Sequence, residues 1–471
     1  VISKQFFNFA PLFKLLVDMS KTVKLKKGLD IKLVGESDKV LTEFVMPKSV
    51  SIKPSDFHGM TPKMLVKAGA AVKAGDILFQ NKYKESIKFA SPISGIVREV
   101  VRGDKRRILE VIVDSDGQQS YKETATLNPA NASGEEVKNY MLSNGLWPFV
   151  IQRPIDIVAD PNQEPKAIFV SAFDSSPLAP DFNFVLQGEN ENFQTGLDAL
   201  ATLTKGKVHL TLDANGTSNE VFTQAKNVQI NKISGKHPAG NVGTQIHHVD
   251  PINKGEYVWV VNAQDVMMIG RMMRTGNFDL TKTVNLSGSA AKNRKYFKTM
   301  VGAEVSTIVS GNIDGDNVRI ISGNVLTGDK TSEASHLGFY HNQVTIIPEG
   351  NEYKFFLTTG WLAPGFDKFS NSRLFPTFLT PGKKFNLDTN TNGEERGFVV
   401  TGEMERVFPF DILPMQLVKA AITDDIDGME SLGIYEVAPE DFALCEYVCT
   451  SKINIQDKIR QALDLIQEEC M

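Results

Sequence analysis

Cysteine is scarce in this sequence: there are three in 471 residues. Three thiols cannot build a disulfide scaffold, so a reducing, cytoplasmic compartment is expected. They also fall short of the four thiolates that an iron–sulfur cluster usually takes. Charge of one sign is not in excess either, with 51 Lys and Arg against 56 Asp and Glu and a net charge of −5. Such a chain does not draw in a phosphate backbone from a distance, and nucleic acid is not an expected partner. Long apolar runs are missing. A spanning helix needs about 20 mainly apolar residues, and the best internal stretch, Tyr257 to Ile269, is broken by Asn262, Gln264 and Asp265. That density fits a buried strand followed by a helix, which leaves a peripheral role as the only membrane role.

Glycine loops for nucleotides are absent as well. No strand-like run leads into G-x-G-x-x-G, and there is no G-x-x-x-x-G-K-[ST]. A phosphate cradle needs glycines so that the backbone can approach the anion. Where the first strand–helix region would offer one, the chain reads NGLWPFVIQRP (144–154). Trp147 and Pro148 would fill that space, which argues against a bound nucleotide or flavin.

What is present is an ordinary globular composition, 41% hydrophobic and 23% charged, at a length that suits about two to four domains. Residues 1–18 precede Met19 and carry Lys4, Pro11 and Lys14 within an apolar stretch. They read as an upstream extension, with a short amphipathic surface helix as the alternative. Short β-runs separated by Gly, Asp and Pro turns fill 19–127 and suggest a compact barrel or sandwich. From about 128 to 278 strands and helices alternate, which argues a Rossmann-like α/β domain. Ser133 and Glu136 form a capping box at its first helix. Residues 279–332 read as a small β-grasp unit, 333–410 as β-rich and irregular, and 411–471 as helical. Ile455, Ile459, Leu463 and Ile466 make the core stripe of the last helix.

The densest functional-looking segment is GKHPAGNVGTQIHHVDP (235–251), with three of the seven histidines. Such a loop presents Lys236, His237, His247 and His248 to an anion, a carbonyl or a metal. The bland alternative is a structural turn followed by an Ile246–Val249 strand with one histidine inward. Cys445 and Cys449 share a helical face at i,i+4; buried helical cysteines are the expectation, and a metal site there is the minor reading. His341 and Trp361 sit in aromatic-rich turns that suit a cleft or a core.

Two sets of residues carry resemblances. Val72-Lys73-Ala74-Gly75-Asp76 and Ala90-Ser91-Pro92-Ile93-Ser94-Gly95 resemble a biotinyl/lipoyl-type barrel-sandwich hybrid. That resemblance implies a lysine on the hairpin between them, here Lys82 or Lys84 in NKYKES, but without the usual Met-Lys-Met. An adapted, non-carrier domain is expected; a stand-alone biotin- or lipoate-carrier component, modified at Lys84, is the alternative function. An independent flavin oxidoreductase is a third reading that the missing glycine loop disfavours.

More broadly, KLKKGLDIKLVG (24–35), FASPISGIV (89–97), GLWPFVIQRP (145–154), the 235–251 segment, VNLSGSAAKN (284–293), YHNQV (340–344) and ALCEYVCTSK (443–452) resemble the NqrA family of the Na+-translocating NADH:quinone reductase. The resemblance runs collinearly from about Lys21 to the C-terminus. It implies a fold of barrel-sandwich hybrid, Rossmann-like, SLBB-type β-grasp and helical parts, related to the flavin subunit of respiratory complex I and to the RnfC family. It further implies a peripheral subunit on the cytoplasmic face of the bacterial inner membrane, in a six-subunit complex that passes electrons from NADH to ubiquinone or menaquinone and exports Na+. NADH, flavins and iron centres would belong to the partner subunits, with no redox centre in this chain, no catalytic residue and quinone as its ligand. Lys236, His237 and Trp147 are the candidate quinone contacts, since a quinone needs an apolar slot and a donor for its carbonyl oxygens.

Overall fold

The computed structural model describes residues 20–360, 362–371 and 375–471. Residues 1–18, Met19 and Trp361 therefore lie outside the described residues. Two small sheets form the N-terminal barrel. One runs in the order Ser49–Ile52, Ile108–Ser115, Gly95–Arg102, Ala71–Val72; the other holds Pro62–Met64, Ile77–Asn81 and Lys88–Ala90. Alternation along these strands sends Val50, Phe79, Phe89, Val97 and Val111 inward, where all are buried, as a half-buried pleat requires. The earliest residues leave the barrel. Thr22–Lys24 pairs in parallel with Gln229–Ser234 of the α/β sheet, and Leu41–Phe44 pairs with Tyr296–Met300 of a six-stranded sheet. The N-terminal segment thus stitches three sheets together, which local pattern alone does not reveal.

The α/β sheet has seven strands in the order Thr22–Lys24, Gln229–Ser234, Lys207–Asp213, Ala167–Ser171, Val258–Val260, Ile151–Arg153, Ile157–Val158. The first five are mutually parallel and the last two form an antiparallel edge. Both faces are covered, as a parallel sheet demands. Ile168, Val170, Leu210 and Leu212 meet the helices Asn190–Thr202 and Ala263–Thr275 within the largest core. Ala167, Phe169 and Val258 meet the helix Val242–Val249 on the other face. The two long helices touch backbone to backbone. A Cβ at Gly196 would lie 2.0 Å from the Val266 carbonyl oxygen, and one at Gly270 would lie 1.8 Å from that of Asn192. Ser133 and Glu136 close the expected capping box on the helix Gly134–Ser143.

The six-stranded sheet runs Asp329–Thr331, Val318–Ser322, Gln343–Pro348, Thr281–Ser287, Tyr296–Met300, Leu41–Phe44. Gln343–Pro348 lies at its centre, so this sheet draws on residues beyond 332. After Pro348 the described residues up to 410 hold no strand; only the turn Pro376–Leu379 and the helix Met404–Val407 are regular. The expected β-richness of 333–410 is confined to that one central strand. Helices Pro414–Ile422, Ile426–Ser431, Ala443–Val448 and Ile455–Cys470 complete the chain. Ile455, Ile459, Leu463 and Ile466 are all fully buried in their shared core.

One buried histidine in the α/β sheet ties folding to pH. His209 stacks on Phe169 at 4.7 Å between centroids, and its Nδ1 accepts from Asn231 Nδ2 at 3.2 Å. Burial pushes its pKa down to about 4, against about 6.5 in an unfolded chain. The neutral ring's contribution is therefore complete above the unfolded value and lost as pH falls toward about 4. Roughly 2 kcal/mol should disappear between about pH 7.5 and about pH 5. Unfolding of wild type and His209→Gln across that range checks this: the variant should lose distinctly less stability on acidification, and parallel losses would contradict it.

Candidate functional site

A cleft of about 470 Å3 opens at the carboxyl ends of the parallel strands, the usual ligand crevice of an open α/β sheet. Ser171 ends one strand, Val260 ends its neighbour, and His237 follows a third. The other walls come from the barrel (Asp56, Phe57, His58), the six-stranded sheet (Gly323, His341, Gln343) and the helical region (Pro439, Glu440, Arg460). Four parts of the fold thus meet at one cavity. Apolar faces are supplied by Ile157, Phe173, Phe182 and Val261.

His237, the quinone candidate that reaches this cleft, is buried there, and His341 also lines it. The His237 backbone N–H donates to Asp30 Oδ1 at 2.9 Å, and its carbonyl accepts from Leu29 N–H at 2.9 Å. Gly28 makes that clamp feasible: at φ +127° it lies so close that a Cβ would sit 2.4 Å from the His237 carbonyl oxygen. The ring Nδ1 lies 3.0 Å from Ser175 Oγ. That hydroxyl already accepts from Gly240 N–H at 2.8 Å. Burial pulls the His237 pKa down, with Asp174 and Asp30 opposing, so the ring is neutral at pH 7. Ser176 Oγ, also lining the cleft, is buried without a hydrogen-bond partner.

The other candidates are dispersed. Lys236 is exposed beside the loop. Trp147 is fully buried, donates Nε1–H to the Ala159 carbonyl at 2.7 Å and packs edge-on against Trp259; it does not line the cleft. Ile246–Val249 is the last turn of a helix and not a strand, because the glycines and Asn241 before it end the loop and begin a helix. His247 Nδ1 pairs with Glu436 at 2.8 Å, and His248 Nδ1 bonds the Thr244 carbonyl. His341 reaches the cleft wall with Nδ1 2.9 Å from Ser322 Oγ; burial pushes its pKa down to about 4.

Cys445 and Cys449 are free thiols inside the helical core. Burial raises Cys445 well above the ordinary thiol range, which opposes the thiolate a metal would need. Among the described residues no group of three or more His, Cys, Asp or Glu is placed to hold a metal. Lys84 stands on the hairpin expected from the carrier resemblance, but its Nζ pairs with Asp160 of the α/β domain at 2.7 Å. The hairpin is docked, so that lysine is not on a free arm.

Sequence reasoning missed the charged groups around the cavity. Arg153 is buried at the end of the strand Ile151–Arg153, next to the edge strand. Its Nη1 donates to Asp441 Oδ2 at 3.0 Å, its Nη2 donates to Glu440, and Nε lies 3.7 Å from Asp156. Burial opposes the guanidinium's charge, but Asp156, Asp441 and Glu440 together outweigh it. Burial pushes Glu440 up to about 7, against the pull of Arg153. Behind the cleft wall, burial brings Lys282 down to about 8 and Asp265 up to about 6. Asp56, on the wall itself, is pushed up to about 6 by burial while accepting from Phe339 N–H at 2.8 Å. The only sequence trace of this set was Asp265, standing as a polar break in an apolar run.

Arg153 joins the α/β edge to the helical region. Removing it strands the fully buried Asp441 carboxylate, which typically costs about 3–5 kcal/mol. Arg153→Met should lower the melting temperature and speed amide exchange in the 439–470 helices. Unchanged exchange there would contradict a bridging role.

Three family models match the chain: the NqrA N-terminal barrel-sandwich hybrid domain over residues 23–116, the NqrA second alpha/beta domain over 132–278, and the NQRA C-terminal domain over 283–333. Among curated proteins, the NqrA component of the Na(+)-translocating NADH-quinone reductase of Neisseria meningitidis is 37% identical over 451 residues, covering 95% of this chain and 100% of the relative. The protein of the same name from Rhodopirellula baltica is 37% identical, covering 95% of this chain and 98% of the relative. That of Haemophilus influenzae is 36% identical, covering 95% and 100%. Among the described residues no helix is long and apolar enough to cross a membrane. With full-length relatives of one name and the expected domain models in order, the chain belongs to the NqrA family of Na(+)-translocating NADH-quinone reductase subunits.

Proposed function

We propose that this chain serves its reductase as a peripheral subunit on the cytoplasmic face, and that the cleft at the sheet's carboxyl edge receives the quinone head group. Electron carriers (flavins, iron centres and NADH) belong to the partner subunits on this reading, and the chain contributes no redox centre of its own. The observation that carries it is the cleft's combination of apolar walls and a neutral histidine. His237 offers a ring nitrogen to the quinone's polar oxygen, while Ile157, Phe173, Phe182 and Val261 supply the slot for a ring.

The charge balance of the lining supports the same choice. Asp56, Asp156 and Asp174, with Glu440 partly protonated near pH 7, stand against Arg153 and Arg460. A surplus of carboxylates disfavours a phosphate-bearing nucleotide or flavin, whereas a quinone carries no phosphate. Trp147 acts beneath this site as packing for the edge strand and not as a contact, and Lys236 stands at the loop's exposed side.

Calorimetry of the isolated chain with a short-chain ubiquinone analogue tests the assignment. Saturable binding is expected, about tenfold weaker in His237→Ala and little changed in Lys236→Ala or Trp147→Phe. Saturable binding that is indifferent to His237, or none at all, would remove the quinone from this cleft.

A further inference from the structure

Three carboxylates share one buried cation at the wall of the cleft. Arg153 donates to Glu440 through Nη2 and to Asp441 Oδ2 through Nη1, and its Nε lies 3.7 Å from Asp156 Oδ1. With every group ionised, two negative charges would stand uncompensated around a buried guanidinium. Carboxylates that share a site do not all ionise together, so the cluster holds a proton near neutral pH. Asp441 is badly placed to release it. Its side chain is fully enclosed, its Oδ2 also accepts from Ala438 N–H at 2.9 Å, and its Oδ1 has no partner. Glu440 is well placed. Its side chain lines the cleft and is 39% exposed. Arg153 engages its Oε1, so Oε2 is the oxygen that can carry and release a proton. Burial sets its pKa at about 7, with Asp441 and Asp156 assisting and Arg153 opposing.

The elements packed around this turn keep their other charges occupied. The helix Ile455–Cys470 brings Arg460 to the cleft, paired with Asp464 at 3.1 Å, and His58 of the barrel pairs with the same Asp464 at 2.8 Å. The helix Val242–Val249 meets the cluster at Gly243. Its two histidines are taken by Glu436 and by the Thr244 carbonyl. We infer that Glu440 is the acid that protonates the quinone as it is reduced in this cleft. The inference rests on the quinone reading of the cleft and adds the proton's source to it. A quinone that takes two electrons, supplied by NADH through the reductase, needs two protons to become a quinol. For one of them the O–H bond of Glu440 breaks as an O–H bond to a quinone oxygen forms. The carboxylate left behind is held by Arg153, and solvent at the cleft mouth returns the proton. Water supplies the other. An acid is most effective when its pKa lies near the working pH.

The test measures NADH-driven quinone reduction by the whole complex at saturating quinone, and quinone binding to the isolated chain. In wild type the rate should fall as pH rises through about 7, because the protonated acid is lost. Glu440→Gln imitates the protonated acid and keeps an oxygen for Arg153, so the fold and saturable binding should remain. Its rate should be about 100-fold lower and no longer fall with pH. Asp156→Asn removes a charge that raises the Glu440 pKa, so its fall should begin at lower pH; this arm stands even where Glu440→Gln does not fold. Bound quinone with the wild-type fall retained in both variants, or a wild-type rate that is flat through pH 7, would overturn the inference and leave the cleft reading intact. Failure of the wild-type chain to bind quinone would remove the cleft reading itself, and this inference with it.

Discussion

A single buried guanidinium ties two walls of the cavity together. Arg153 ends the strand Ile151–Arg153, and its fork is taken by Glu440 and Asp441 from the turn before the helix Ala443–Val448. It fastens the α/β sheet to the helical region on one side of the cleft. Packing there is tight: a Cβ at Gly243 would lie within 2.5 Å of both Asp441 carboxylate oxygens and 2.8 Å from Arg153 Nη1. A buried ion cluster is weak as a source of net stability but costly to break. Its value here is positional, since it fixes where the helical region sits against the mouth of the sheet.

The N-terminal segment performs the corresponding task on the opposite side. Thr22–Lys24 adds a strand to the α/β sheet, Gly28 to Asp30 clamp the His237 loop, and Leu41–Phe44 adds a strand to the six-stranded sheet. Only then does the chain enter the barrel, whose Asp56 returns to the cleft by accepting from Phe339 N–H. The candidate site is therefore a product of the assembled chain and not of any one unit. This accounts for buried ionisable groups such as Asp265 and Lys282 at the junctions between units, where no single core could satisfy them.

Much of the architecture was legible because it is local. The strand Lys207–Asp213 and the helix Ala263–Thr275 follow from periodicity and flanking caps, and the capping box at Ser133 follows from spacing alone. The loop around His237 was legible from its glycines and prolines. What escaped depends on contacts distant in sequence. Arg153 reads as one more polar residue until Glu440, far along the chain, is brought beside it. Trp147, as an aromatic residue, suits core and cleft alike in the sequence; in the fold its Nε1–H is taken by the Ala159 carbonyl. Helix and strand were confused at Ile246–Val249 because so short a run of apolar and imidazole residues suits either period.

On the proposed reading, the cleft at the sheet's carboxyl edge receives a quinone. The most direct measurement is a crystal structure of the chain soaked with a brominated short-chain quinone, read by anomalous scattering. A peak between the apolar wall at Phe173 and Val261, with a carbonyl oxygen within hydrogen-bond distance of the His237 ring, is the expected result. Peaks confined to other surfaces, with the cleft holding solvent at saturating quinone, would contradict it.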